Sequence, residues 1–185
     1  SVGGGYENTA DGNYATIAGG RDNTARGQDT LVGGGWSNEA VASFATVGGG
    51  VDNSARAAYA VVAGGVSNLN TGFRSFIGGG SSNVVEGDRA AIVGGADNTA
   101  AGYYALVVGG SASIATELAS YSFVGGGQWN VANASHVVVA GGSRNMALES
   151  FGSVGGGRDN TARGYATVIS GGFANTALGY GAIGG

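Results

Sequence analysis

A β-branched aliphatic residue returns every 15 positions along most of the chain: Ile17, Val32, Val47, Val62, Ile77, Ile92, Val107, Val124, Val139, Val154 and Ile169. One interval is longer, the 17 residues from Val107 to Val124. A polar column keeps the same beat at another phase: Asn8, Asn23, Asn38, Asn53, Asn68, Asn83, Asn98, Ser113, Asn130, Asn145, Asn160 and Asn175. Two places after this marker the residue is Ala in ten of twelve units, Asn70 and Val85 being the exceptions. A glycine pair precedes every marker, from Gly4-Gly5 to Gly171-Gly172. So short and regular a period belongs to a repeat protein, in which each unit buries its apolar side only against its neighbours.

β-branched residues favour strands, while glycine pairs and Asn favour turns with positive φ. Each unit is therefore predicted to hold a short strand near its Ala, a turn, a second strand ending at its Val or Ile, and a Gly-Gly turn. The two or three glycines per unit exclude a helix, because each costs about 1 kcal/mol relative to Ala. The prediction is an all-β, two-sided β-solenoid with parallel sheets and about twelve coils. At about 4.8 Å per coil the rod is about 58 Å long. The Asn column predicts a ladder of side-chain amides along it. Ala faces Val or Ile across a thin interior, so a lone chain is expected to be only marginally stable.

Strand residues alternate sides, so if the seventh and ninth places after the marker face inward, the sixth and eighth face outward. The eighth place reads Thr16, Leu31, Thr46, Val61, Phe76, Ala91, Leu106, Phe123, Val138, Ser153 and Val168. The sixth adds Tyr14, Phe44, Tyr59, Tyr104, Tyr121 and Phe151. A strand apolar on both faces is a buried strand, and another copy of the chain is the expected cover. Leu31, Val61, Phe76, Leu106, Phe123, Val138 and Val168 are the predicted interface residues. The first strand instead turns Asp11, Arg26, Glu39, Arg56, Glu86 and Arg163 outward, as a solvated face does.

Composition narrows the class. There are 41 glycines and no proline, but no Gly-X-Y period, so the chain is not collagen. With 43% hydrophobic and 11% charged residues it is not disordered either. The net charge is −4 and the eight basic residues, all Arg, are scattered, which excludes a nucleic-acid footprint. No apolar run approaches the roughly 18–20 residues that span a bilayer, so no direct membrane insertion is expected. The chain starts and stops inside a unit. It is read as one repeat domain, residues 1–185, cut from a longer fibre protein. The two-residue insertion between 113 and 130 is read as a bulge in preference to a protruding loop.

Candidate chemistry is sparse. The glycine turns recur in every coil with no following helix or Lys, so they are turns and not phosphate cradles. His136 is the only histidine and the chain has no cysteine, which leaves a zinc site or nucleophilic triad without parts. Asp22, Asp52, Asp97 and Asp159 precede their markers, but the Gly-Gly-x-Gly-x-Asp pattern of calcium-binding β-rolls is absent. Thr9, Thr24, Thr99, Thr161 and Thr176 are too interrupted to form an ice-binding array. No catalytic residue, metal or cofactor is expected. Tyr6, Trp36, Trp129 and Phe173 sit on turns and are candidate surface-binding residues, since Trp and Tyr are favoured at binding hot spots.

The motifs Ala10-Asp-Gly12, Ala25-Arg-Gly27 and Ala162-Arg-Gly164, with strands of the Ala15-Thr-Ile17-Ala-Gly19 type, resemble the head domains of trimeric autotransporter adhesins, the YadA-like family. The resemblance covers essentially the whole chain. It implies a left-handed β-roll in a parallel homotrimer, with the apolar strand turned to the trimer axis. It also implies an extracellular, surface-displayed fibre, anchored in the outer membrane through regions outside this chain, and an adhesin head that binds host or matrix surfaces through distributed contacts. Similar repeats occur in phage tail fibres and other extracellular fibres, so the alternative is a structural shaft without a ligand of its own. A roll closed within each chain and a prism with sheets shared among three chains both remain open on sequence.

Overall fold

The computed structural model describes residues 1–181 and the strand Ile183–Gly184. Every unit gives two strands of two residues each, from β1 (Thr9–Ala10) and β2 (Thr16–Ile17) to β23 (Thr176–Ala177) and β24 (Ile183–Gly184). Odd-numbered strands form one twelve-stranded sheet and even-numbered strands another. All pairings are parallel and one repeat apart, as in Ala10↔Ala25 and Ile77↔Ile92. Each strand thus pairs within its own chain. The chain is a parallel β-solenoid whose coils close on themselves, not a prism of shared sheets.

Four places per coil point inward: the Asn marker and the second, seventh and ninth residues after it. Ala25, Ala40, Val32 and Val47 are wholly buried, as are Asn23, Asn38 and Asn53. Burying an amide without partners would cost several kcal/mol, and the ladder avoids this. At Asn53 the backbone N–H donates to Asn38 Oδ1 (3.1 Å), while Nδ2 donates to Gly49 O (3.0 Å) and Gly65 O (2.8 Å). Those carbonyls belong to the glycine turns of its own coil and the next. The second glycine of each pair holds φ between +82° and +101°, and a Cβ at Gly65 would lie 2.2 Å from Gly80 O. Only glycine fits there, on backbone conformation and on space alike.

The exception at Asn70 is also satisfied. Its Nδ2 donates to Val61 O (3.1 Å), its Oδ1 accepts from Gly72 N–H (3.3 Å), and the Ser75 hydroxyl lies against that oxygen. A polar pair therefore replaces the usual Ala–Ala contact inside the coil.

Two expectations need correction. The coil has a third, one-residue side: single parallel bridges run Tyr6↔Arg21↔Trp36 and onward to Arg158↔Phe173. A side one residue long leaves no alternation in the sequence. Second, the sixth place after the marker is not in the second strand. Tyr14, Tyr59 and His136 sit in left-handed corners ahead of it, with φ of 59°, 59° and 57°. Such a conformation costs a residue with a Cβ about 1–2 kcal/mol, and the stacking described below offsets it.

The insertion lengthens the turn between the strands Ile114–Ala115 and Phe123–Val124 and leaves both sheets in register, with Leu106↔Phe123↔Val138 and Ile114↔Val131. It is a protruding loop, with Leu118 67% exposed, and not a bulge. The coil bearing it holds two buried hydroxyls without partners, on Ser113 and Ser122. Elsewhere a hydroxyl at the Ser122 place donates to the carbonyl three residues back, as Thr30 does to Gly27 O (2.9 Å) and Thr167 to Gly164 O (2.8 Å). The longer turn leaves no such carbonyl in reach.

Candidate functional site

The described residues form no pocket and no group of three or more acidic or histidine side chains that could hold a metal ion. The candidate chemistry lies on the outer surfaces of the rod.

The seven predicted interface residues fall on one line along the second sheet, one or two repeats apart in register, as in Val61↔Phe76 and Phe123↔Val138, with Thr46, Ala91 and Ser153 on the rungs between. Leu31, Phe76, Val138 and Val168 are exposed, while Val61, Leu106 and Phe123 are half-buried by their ladder neighbours. Beside them runs a column of small residues such as Ala63, Gly78 and Ala140, and neither column holds a charge. The face is flat and apolar.

The corner between the two strands carries a stack of rings. Phe44 and Tyr59 are parallel with centroids 4.7 Å apart, and Tyr104, Tyr121, His136 and Phe151 continue at 5.3, 5.2 and 5.0 Å. Two rungs lack a ring, and arginines fill them: Arg74 lies 5.4 Å from the Tyr59 centroid and Arg89 5.4 Å from that of Tyr104. Each such contact contributes about 0.5–1 kcal/mol at an exposed site. Tyr165 and Tyr180, one place earlier in their coils, extend the series with centroids 5.2 Å apart. Loss of solvent among its neighbours pushes the Tyr103 hydroxyl above the ordinary phenol range, with Arg89 pulling the other way. His136 is stacked on both faces, by Tyr121 and Phe151. The place of Arg74 and Arg89 in this column was legible from the repeat phase; their residue type concealed it.

Tyr6, Trp36, Trp129 and Phe173 lie exposed on the opposite edge, beside the glycine turns. They do not form one site. Tyr6 and Trp36 flank Arg21, whose guanidinium carbon is 5.5 and 5.8 Å from their rings, and Trp36 Nε1 donates to Asp22 Oδ2 (3.1 Å). Trp129 is six coils from Trp36, about 29 Å along the rod. Phe173 pairs with Arg158 at 5.6 Å. Asp22 and Asp159, two of the four aspartates ahead of markers, are engaged by arginines. Asp159 accepts two bonds from Arg144 (2.6 and 3.1 Å) and one from Arg158 (3.2 Å). The hydrogen bonds from Arg144 hold its carboxyl below the ordinary carboxylate range, and the same bonds raise Arg144.

The first sheet departs from the solvated face expected of it. Its charges gather near the ends: Glu39 lies between Arg26 and Arg56, within 3.7 Å of the latter. Between Leu69 and Met146 the outward strand column is Leu69, Val84, Thr99, Ile114, Val131 and Met146, paired rung to rung. Reading selected charged positions hid this second apolar stripe.

No family model matches the chain, and no curated protein matches it. The likeness to adhesin heads is carried by the coil pattern alone.

Proposed function

We propose that the chain is a non-enzymatic segment of an extracellular fibre, a parallel homotrimer of left-handed β-rolls displayed at a cell surface as an adhesin head. The observation that carries this reading is the charge-free face of the second sheet. Its two outward columns, at the eighth and tenth places after the marker, carry no charge along a rod about 58 Å long. A continuous apolar strip of this kind marks a protein–protein contact surface.

Binding to host or matrix molecules is assigned to the edge bearing Tyr6, Trp36, Trp129 and Phe173, through contacts spread along the rod. The test is adherence of beads coated with the protein to matrix-coated surfaces. Trp36→Ala with Trp129→Ala is expected to reduce it several-fold while solution mass is unchanged; undiminished adherence would refute the assignment. The second reading is a purely structural shaft of an extracellular or phage tail fibre. It is favoured by the way Arg21, Asp22 and Arg158 already occupy three of the candidate aromatic and acidic groups. Unchanged adherence in that double variant would support it.

A further inference from the structure

We infer that the first sheet is the second contact face of the assembly: between Leu69 and Met146 it receives the second sheet of the next copy, and the aromatic corner joining the two sheets faces the assembly axis. This rests on the homotrimer proposed above and names the surfaces that close it.

The argument begins with symmetry. A closed ring of three identical chains is joined head to tail, so every chain offers two different faces; only a twofold dimer uses one face twice. The second-sheet column is one face. Beside the ring stack of the corner between the sheets, the described surface carries one further apolar column several rungs long, on the first sheet, where Leu69, Val84, Ile114, Val131 and Met146 point outward around Thr99. The occupant is therefore a second copy of this chain.

Height along the rod gives an independent check. Cyclic symmetry involves no shift along its axis, so each coil meets its counterpart at the same level. Complementary stripes must then be apolar at the same levels, and they are. The coils that put Leu69 to Val131 on the first sheet put Phe76, Ala91, Leu106, Phe123 and Val138 on the second, and the zone ends where Met146 shares a coil with Ser153. The first-sheet charges Arg26, Glu39, Arg56 and Arg163 lie beyond this zone, and Glu86 is the one charge beside it. Burying unpaired charges there would cost several kcal/mol each, and the sequence keeps them away.

With both sheets in contact, the corner between them turns inward. That corner holds the ring stack from Phe44 to Tyr180, and its half-exposed rings gain apolar neighbours in the assembly. Arg74 on one level of it and Asp88 with Arg89 on the next make, in three copies, a hydrated, charged zone between apolar levels. The opposite edge, with Trp36 and Trp129, faces outward, where the proposed ligand contacts require it.

The test uses the whole chain. Light scattering on Val84→Glu/Val131→Glu is expected to show a threefold loss of mass, to a single chain that keeps its β circular-dichroism signal. A variant that remains trimeric while Phe76→Glu/Phe123→Glu dissociates would overturn the inference and leave the trimer standing. A parent protein that is itself monomeric would remove the reading underneath. Should the charged variant unfold, the parent's lack of cysteine permits a second measurement. Oxidised Val131→Cys/Val138→Cys is expected to run as covalent dimers and trimers on a non-reducing gel, with neither single variant cross-linking. Dimers from Val131→Cys alone, or none from the pair, would overturn the assignment.

Discussion

Replacing Asn83 by Ala probes the interior ladder at its middle. Asn83 is wholly buried. Its Oδ1 accepts from Asn98 N–H (3.1 Å) and Asn98 Nδ2 (3.1 Å), and its Nδ2 donates to Gly79 O (3.0 Å) and Gly95 O (2.9 Å). The substitution removes these bonds with unequal consequences. Gly95 O keeps a donor in Ser81 N–H (3.0 Å), and Gly79 O is near enough to solvent to be hydrated. The Asn98 N–H is left buried and unpaired, which costs about 1–3 kcal/mol. The lost net contribution of the Gly79 and Gly95 bonds adds about 1 kcal/mol each, for a total of about 3–5 kcal/mol. Urea titration should show a lower midpoint with unchanged slope. Amide exchange at Asn98 should accelerate at least about 100-fold, since each 1.4 kcal/mol is a factor of ten. A change under 1 kcal/mol with Asn98 still protected would refute the ladder as a source of stability.

Further outcomes follow from the same geometry. Ser113→Asn supplies the oxygen that the ladder lacks above Asn130 and removes an unpaired hydroxyl, so thermal unfolding should show a gain of about 1–2 kcal/mol. Ser122→Ala, which deletes the other unpaired hydroxyl, should be neutral or stabilising, whereas Ser75→Ala removes one of the two donors to Asn70 Oδ1 and should cost about 1 kcal/mol in a urea titration. Gly65→Ala forces a Cβ against Gly80 O at φ +101° and should lower the unfolding free energy from urea titration by more than about 1 kcal/mol. Asp159 titrates below its ordinary value in the folded chain, so its bond to Arg144 stabilises fully above about pH 4 and is lost as pH falls through the lower folded value. A carboxyl NMR titration should find Asp159 still ionised at about pH 4, and midway protonation there would contradict the pairing.

The parts of the fold legible in the sequence are those where one column has one job. Val and Ile at the ninth place, Ala at the second and Asn at the marker each face a single repeated environment, so their identities barely vary and the period, strands and ladder follow. The glycines were equally plain, because Gly65 and its equivalents have no alternative. What escaped notice was set by several coils together. The third side is one residue wide and carries Tyr6, Arg21, Trp36, Val51 and Ser81 in turn, with no common chemistry to mark it. Arg74 and Arg89 continue an aromatic stack because a guanidinium lies flat on a ring, an equivalence that residue classes conceal. The apolar stripe of the first sheet emerged only when its outward column was followed rung by rung past Arg56. The insertion became a loop because taking it up within a strand would misalign the Val, Ala and Asn columns of that coil with those of its neighbours, while a turn lengthens at little cost.

The central claim, that the second-sheet face is covered by further copies of the same chain, is tested most directly by the solution mass of the parent protein over a wide dilution series. The account predicts three times 17.8 kDa, constant down to low concentration, because covering a charge-free apolar strip along the whole rod removes it from water. A folded single chain of 17.8 kDa at every concentration would contradict it.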